Sequence, residues 1–287
     1  MIEANAFLAM FTVQILAMSV LLPQRVIRLV RSTAQEFPAE RFAQLYPRVD
    51  HHKILGRYLK LYRLLNPVIL VLGVLLLGWL FRYLQRSDWD DGPVEALVFA
   101  YFVLQALPLL FAAWSAIRYN QLLGRLLEAK RSTVLQRRGL FDFVSPFTVF
   151  LAVSSYFLFV AYVIYIAQNP FPGFAGALIN IGFITLVYAT QALGVYVMLY
   201  RKKVNPRETH AALVHTTGVG VKACVYMCIA SVVTSSLNFT LVLLDLQRWE
   251  PFALSAFLVF AASLTLMVIT AAPRNPEAAG LGESPVS

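Results

Sequence analysis

The sequence specifies an all-α integral membrane bundle that crosses the bilayer seven times, with its N-terminus outside and its C-terminus inside. Three observations carry that expectation. Hydrophobic residues make up 59% of the chain and charged residues 14%, whereas a soluble domain carries about 25% charged residues. The apolar residues collect in seven long runs, at about 6–22, 67–84, 95–117, 146–167, 174–200, 223–244 and 252–271, each on the order of the ~20 residues a helix needs to cross a bilayer. Twenty of the 24 Lys and Arg residues fall in the hydrophilic stretches 24–65, 118–145 and 201–222, which lie on one side of those runs. Short alternating segments of the kind a membrane β-barrel uses are absent. Backbone at membrane depth must satisfy its own hydrogen bonds, so the runs are helices.

The first run begins with Glu3 and no Lys or Arg, unlike a signal peptide, which starts positively charged. Arg25, Arg28 and Arg31 follow it at once, and basic loops stay in the cytoplasm. It therefore reads as an uncleaved anchor helix. The second and fourth runs share a preface: Leu61-Tyr62-Arg63-Leu64-Leu65-Asn66-Pro67 and Leu140-Phe141-Asp142-Phe143-Val144-Ser145-Pro146. Asn66 or Ser145 would cap exposed amides, and Pro67 or Pro146 would take the first helical position, where no N–H is needed. This groups the spans after the anchor into three helical hairpins, 67–117, 146–200 and 223–271, within a single transmembrane domain, 1–272. Residues 273–287 form a Pro-, Gly- and Ala-rich cytoplasmic tail without apolar pattern, expected to be disordered.

Within the cytoplasmic stretches, Lys53, Arg57, Lys60 and Arg63 form a basic stripe opposite Ile54, Leu55, Tyr58, Leu61, Tyr62 and Leu65. Such a helix suits the headgroup plane, and these four cations are the candidate contacts for anionic lipid headgroups or for a membrane-protein partner. The opposite side holds Arg82, Arg86 and Arg248 against seven acidic residues, including Asp245 and Glu250. The excess of nine positive charges thus belongs to one membrane face, an argument against nucleic acid as the partner. The expected location is the cell membrane, of the bacterial cytoplasmic type.

No Asp, Glu, Lys, Arg or His lies deep in any run. Proton relays, ion-coupled carriers and voltage sensors place such groups in the bilayer. Neutral amides are present instead. Gln105, Asn180, Gln191 and Asn238 are the candidate ligand contacts, with Gln14 in the middle of the first run; their ordinary use is to hydrogen-bond neighbouring helices. Small residues recur at packing intervals on the sixth run (Cys224, Cys228, Ser231, Ser235) and the fifth (Gly182, Thr185, Ala189, Ala192), which predicts that both faces point into the bundle. The aliphatic stretch Val68 to Leu80 is expected to face lipid.

Chemistry-bearing patterns are thin. His51, His52, His210 and His215 are the four histidines, weak candidates for a metal site because their spacing matches no zinc pattern. Thr216 to Lys222 lacks the spacing of a phosphate loop and the strand before it. No catalytic residue and no cofactor is assigned. The first functional reading is a non-enzymatic subunit, scaffold or lipophilic-ligand binder, as a homo-oligomer or beside another membrane protein. The alternative is a facilitator or transport protein for a neutral or lipid-like solute. A lipid-phosphate enzyme at the cytoplasmic face stands third.

Overall fold

The structure, a computed structural model, describes residues 2–36, 51–85, 91–126, 139–171, 174–200 and 210–271. Among these no strand occurs. The order is α1 (Ile2–Leu16), a π-helical turn (Ala17–Leu21), α2 (Leu22–Glu36), α3 (His51–Tyr83), α4 (Asp91–Leu126), a 3-10 turn (Leu140–Asp142), α5 (Pro146–Gln168), α6 (Ala177–Tyr200), α7 (His210–Leu243), a 3-10 turn (Gln247–Trp249) and α8 (Glu250–Thr270). Six helices in the described residues are long and apolar enough to cross a membrane: Ile2–Arg31, Leu59–Tyr83, Pro146–Gln168, Ala177–Tyr200, Leu213–Leu243 and Gln247–Thr270. The third apolar run lies in α4, whose described apolar part, Ala96–Phe111, is shorter.

Helix length divides the elements into two kinds. α5, α6 and α8 have 23, 24 and 21 residues, about 30–36 Å at the helical rise and close to the ~30 Å hydrocarbon core. α3, α4 and α7 have 33, 36 and 34 residues, about 50 Å or more. The excess of α3 is basic; that of α4 carries Asp91 and Glu95 at one end and Arg118 and Arg125 at the other, and that of α7 holds His210, His215 and Lys222. Much of what the sequence suggested as loops is therefore helix: the described parts of 24–65, 118–145 and 201–222 include 24–36, 51–65, 118–126 and 210–222 as helical continuations of the apolar runs. The stripe from Lys53 to Arg63 is not a separate interfacial helix. It is the first half of α3.

The paired helix starts part company for a local reason. Ser145 caps α5 as expected: its Oγ accepts from the Thr148 N–H at 3.2 Å, and Pro146 takes the first helical position. Asn66 caps nothing, because the residues before it are already helical and Pro67 falls inside α3. Its Nδ2 instead donates to the Tyr62 carbonyl one turn back, at 2.6 Å. Another proline explains the π turn. Pro23 has no N–H to give to the Ser19 carbonyl, and its ring would clash with that carbonyl in a regular α-helix. The chain inserts a residue, and the Leu22 N–H reaches back to Ala17, a wide turn of the kind found at such interruptions.

Packing forms two groups. α1 packs on α3 and α8, while α4 packs on α3 and α8, around Phe7, Phe11, Ile69, Leu80, Val94, Val98 and Leu258. α5, α6 and α7 pack on one another, around Phe159, Val163, Ile184 and Val232. The α7–α8 contact joins the groups. α1 is thus a central helix rather than a peripheral anchor, with Ala4, Phe7, Phe11 and Gln14 on its buried face. The polar ends also sort. The 3-10 turn at Gln247 packs on α1, while His215 Nδ1 lies 3.3 Å from the Ala271 carbonyl at the other end of α8. Leu22 shares a cluster with Ala262 and Ile269, Leu84 with Ala4, and a side chain at Gly218 would meet Phe143. These contacts bring Arg25, Arg28, Arg31, Lys60, Arg63 and Lys222 to one end of the bundle, and Arg82, Asp245 and Arg248 to the other.

Two packing expectations are corrected. On α7 the small residues do point inward: Cys228 and Ser231 are buried. On α6 they do not pack inward as a stripe; Gly182, Thr185, Ala189 and Ala192 are exposed, because the neighbouring face carries Ile184 and Tyr188, whose bulk reaches α5. Of the four, Thr185 alone makes a side-chain bond to α5, with Tyr156. Val68 to Leu80 is not wholly outward either. Val71, Val74 and Leu75 are exposed, but Ile69 and Leu80 are core. The expected tail, 273–287, lies outside the described residues.

Ser231→Leu should overpack the α7 face and lower the stability of the detergent-solubilised protein by ~1–3 kcal/mol. Ala189→Leu and Val71→Leu, on exposed faces, should leave the melting temperature unchanged. Thermal unfolding of the three variants side by side checks the assignment, and an Ala189→Leu loss equal to that of Ser231→Leu would refute it.

Candidate functional site

The most developed polar feature inside the apolar zone is a chain of side chains linking α1, the π turn, α4 and α3. Gln14 is 0% exposed and Gln105 2%. Gln14 Nε2 donates to Gln105 Oε1 at 3.3 Å, and Gln105 Nε2 donates to Ser19 Oγ at 2.9 Å. Ser19 Oγ lies 3.4 Å from the Tyr101 hydroxyl, which itself donates to the Ile69 carbonyl at 3.0 Å. With the Tyr101 proton committed to that carbonyl, Ser19 must be the donor between the two hydroxyls. All four bonds then run in one direction, from an amide NH2 to a backbone oxygen, and successive bonds of this sense polarise one another.

Local structure positions each member. The π turn contains Ser19. Gly73 stands one turn beyond Ile69 on α3, and a side chain there would overlap the Tyr101 hydroxyl. The glycine is what lets a tyrosine from α4 reach a main-chain oxygen already engaged in its own helix. At the other end, Gln14 Oε1 is buried without a hydrogen-bond partner, an arrangement that costs about 1–3 kcal/mol.

The second group of helices is tied by hydroxyls. Tyr188 on α6 donates to the Ala152 carbonyl of α5 at 3.0 Å, with Ser155 Oγ 3.1 Å away. Tyr156 pairs with Thr185 at 2.8 Å, and Tyr162 with Thr240 of α7 at 2.9 Å. Each tyrosine spends its hydroxyl on a neighbouring helix, as polar groups between membrane helices do.

The four amides singled out in the sequence occupy separate places. Gln105 belongs to the chain just described. Asn180 turns back on its own segment, its Nδ2 donating to the Gly176 carbonyl at 3.0 Å. Gln191 is half-buried on α6, three residues before Gly194, where a side chain would touch Cys224. Asn238 stands on α7 beside Phe239, which packs on Phe159, Phe171 and Phe174, and its Oδ1 is buried without a partner. Cys224 and Asn238 are about 21 Å apart along α7, so Gln191 and Asn238 sit at different depths. No hydrogen bond among the described residues joins the four.

Of the basic stripe, Lys60 and Arg63 are exposed on α3; the side chains of Lys53 and Arg57 lie outside the described residues, as do those of His51, His52 and His210. His215 is exposed at the basic end, against the carbonyl of Ala271, the residue that follows α8. No group of three metal-ligating side chains stands together among the described residues. The sequence reading passed over Ser19, Tyr101 and Gly73. Pro23, four residues after Ser19, was the signal that could have located the π turn.

Gln105→Leu should cost ~1–3 kcal/mol by leaving the Gln14 amide unpaired, and Gln14→Leu should cost less, because it removes the unpaired Oε1 as it strips Gln105 Oε1 of its donor. The double replacement should cost clearly less than the sum. A double-mutant cycle on thermal unfolding measures this, and strict additivity would mean the two amides do not interact.

Comparison with protein-family models, with curated proteins and with solved structures finds no match to this chain.

Proposed function

We propose that the protein is a non-enzymatic, multi-pass membrane protein that works by binding, as a subunit or scaffold whose basic end engages anionic headgroups. The observation that carries this reading is the engagement of the interior polar side chains that do find partners with neighbouring helices. The Gln14–Gln105–Ser19–Tyr101 chain and the tyrosine pairs of the second group are used up between helices, where a solute path would need them free along a lumen. The runner-up, a facilitator for a neutral solute, draws on Asn238 Oδ1 and Gln14 Oε1, which with the Tyr62, Thr217 and Ser255 hydroxyls are buried without a hydrogen-bond partner; the places of the two amides in different helix groups count against one shared path.

In this reading α4 completes a seventh span, the N-terminus is external, and the cytoplasmic face is the end that bears Arg25, Arg28, Arg31, Lys60 and Arg63. Cationic helices at a membrane surface gain roughly 1 kcal/mol per basic residue from an anionic leaflet. The bacterial cytoplasmic membrane is the proposed location, and homo-oligomerisation or a membrane-protein partner the proposed context.

Two experiments test it. In a background of Cys224→Ala and Cys228→Ala, Asp245→Cys should react with an impermeant thiol reagent in intact cells and Lys60→Cys should not; the reverse pattern overturns the orientation. Lys60→Glu with Arg63→Glu should abolish enrichment of anionic over zwitterionic lipid in nanodiscs, and replacing all four histidines by Ala should not alter it. A quadruple histidine variant that folds normally but loses the cellular phenotype, beside a tolerated charge reversal, would put the enzyme reading first.

A further inference from the structure

The prolines inside helices are confined to one group. Pro67 lies within α3 and Pro108 within α4, and Pro23 follows the π turn between α1 and α2. In α5 and α8 proline occurs only in the first turn, at Pro146 and Pro251; α6 and α7 contain none. Each interior proline removes one rung of its helix: the partner of the Ser19, Arg63 or Leu104 carbonyl.

The three missing rungs lie at one level. The polar chain bonds Ser19, Ile69, Tyr101 and Gln105 to one another. Pro23 comes four residues after Ser19, Pro67 two residues before Ile69, and Pro108 three residues after Gln105. Given the direction each helix runs, every one of these steps leads toward the basic end and spans about one helical turn or less. Leu22 and Leu109, neighbours of two of the prolines, meet in one cluster against Ala262 and Leu266 of α8. That cluster is wholly apolar, and apolar contacts impose no direction. The hydrogen-bonded chain lies just on the outer side of the prolines and ties together α1, α3 and α4, the helices that are interrupted.

We infer that Pro23, Pro67 and Pro108 define a common bending plane, and that the Gln14–Gln105–Ser19–Tyr101 chain clamps the outer halves of those helices so that only their basic-side arms move. The arms carry Arg25, Arg28 and Arg31 on α2 and Lys60 and Arg63 on α3. They swing against α7 and α8, which have no interior proline at that level, and the motion changes the spacing between the arms and Lys222 on α7. The device is independent of what the basic end binds, and stands or falls separately from the binding reading.

Pulsed dipolar EPR on the full chain, again with Cys224→Ala and Cys228→Ala, reads both ends. Labels at Lys60→Cys and Lys222→Cys report the basic end; labels at Arg82→Cys and Asp245→Cys report the other. All four positions are exposed. The expected result is a broad or two-peaked distribution at the basic end and a narrow one at the opposite end. Pro67→Ala with Pro108→Ala should narrow the first and leave the second as it was. Gln105→Leu should broaden the second. A basic-end distribution that is already narrow, that stays broad after the prolines are replaced, or that is matched in width at the opposite end of the parent protein overturns the inference. If Gln105→Leu is not monodisperse, Tyr101→Phe, which removes one hydroxyl, is read in its place, and an unbroadened opposite end then counts against the clamp.

Discussion

The hydrocarbon interior offers no water to a stray amide or hydroxyl, and this constraint shapes the bundle more than any single apolar contact. Lipid tails are as apolar as Leu, so burial of Leu against Leu does little to choose one helix arrangement over another. Hydrogen bonds do choose. Gln14 and Ser19 fit only where Gln105 and Tyr101 can meet them, which fixes the rotation of α1 against α4. Tyr101 in turn needs an oxygen from α3, and it reaches one because position 73 has no side chain.

The two groups of helices answer that constraint differently. In the group of α1, α3, α4 and α8, a few strongly polar amides are concentrated in one chain at one depth. In the group of α5, α6 and α7, tyrosine hydroxyls pair with those of Ser155, Thr185 and Thr240 along the helices. A concentrated chain makes one depth specific; elsewhere in that group Asn66 turns back on its own helix and Ser255 is buried on α8. Scattered pairs fix the register all along. The backbone follows suit: the group with concentrated polarity tolerates interior prolines, and the other is regular throughout its described length.

Much of this was legible in the residues and some was not. Long apolar runs and one-sided basic charge marked the helices, because hydropathy over a span is a sum that single residues cannot upset. The reading of Gln14 and Gln105 as interhelical partners followed from chemistry, since a buried amide must find something. The ends of the helices are less legible, because a polar amphipathic stretch looks the same whether it folds away or continues a span, and Asn66-Pro67 has the form of a helix start although it lies in an interior. The α6 stripe is ambiguous for a related reason: Gly182 and Ala189 permit close approach without compelling it, and Ile184 and Tyr188 on the adjoining face have the stronger claim on α5. Tyr101 could not be singled out among the 13 tyrosines, since its role depends on a glycine 28 positions earlier in the chain and on a bulge in a different helix.

The length of α3 has an electrostatic consequence. Along that helix Arg63 lies about 6 Å from Pro67 and Lys60 about 10 Å, and both side chains are exposed. In physiological salt the field of any charged surface decays over a screening length of about 8 Å. In the proposed orientation an anionic leaflet would therefore act on Arg63 more strongly than on Lys60, so charges that stand side by side in the sequence would be graded in the strength of their attraction.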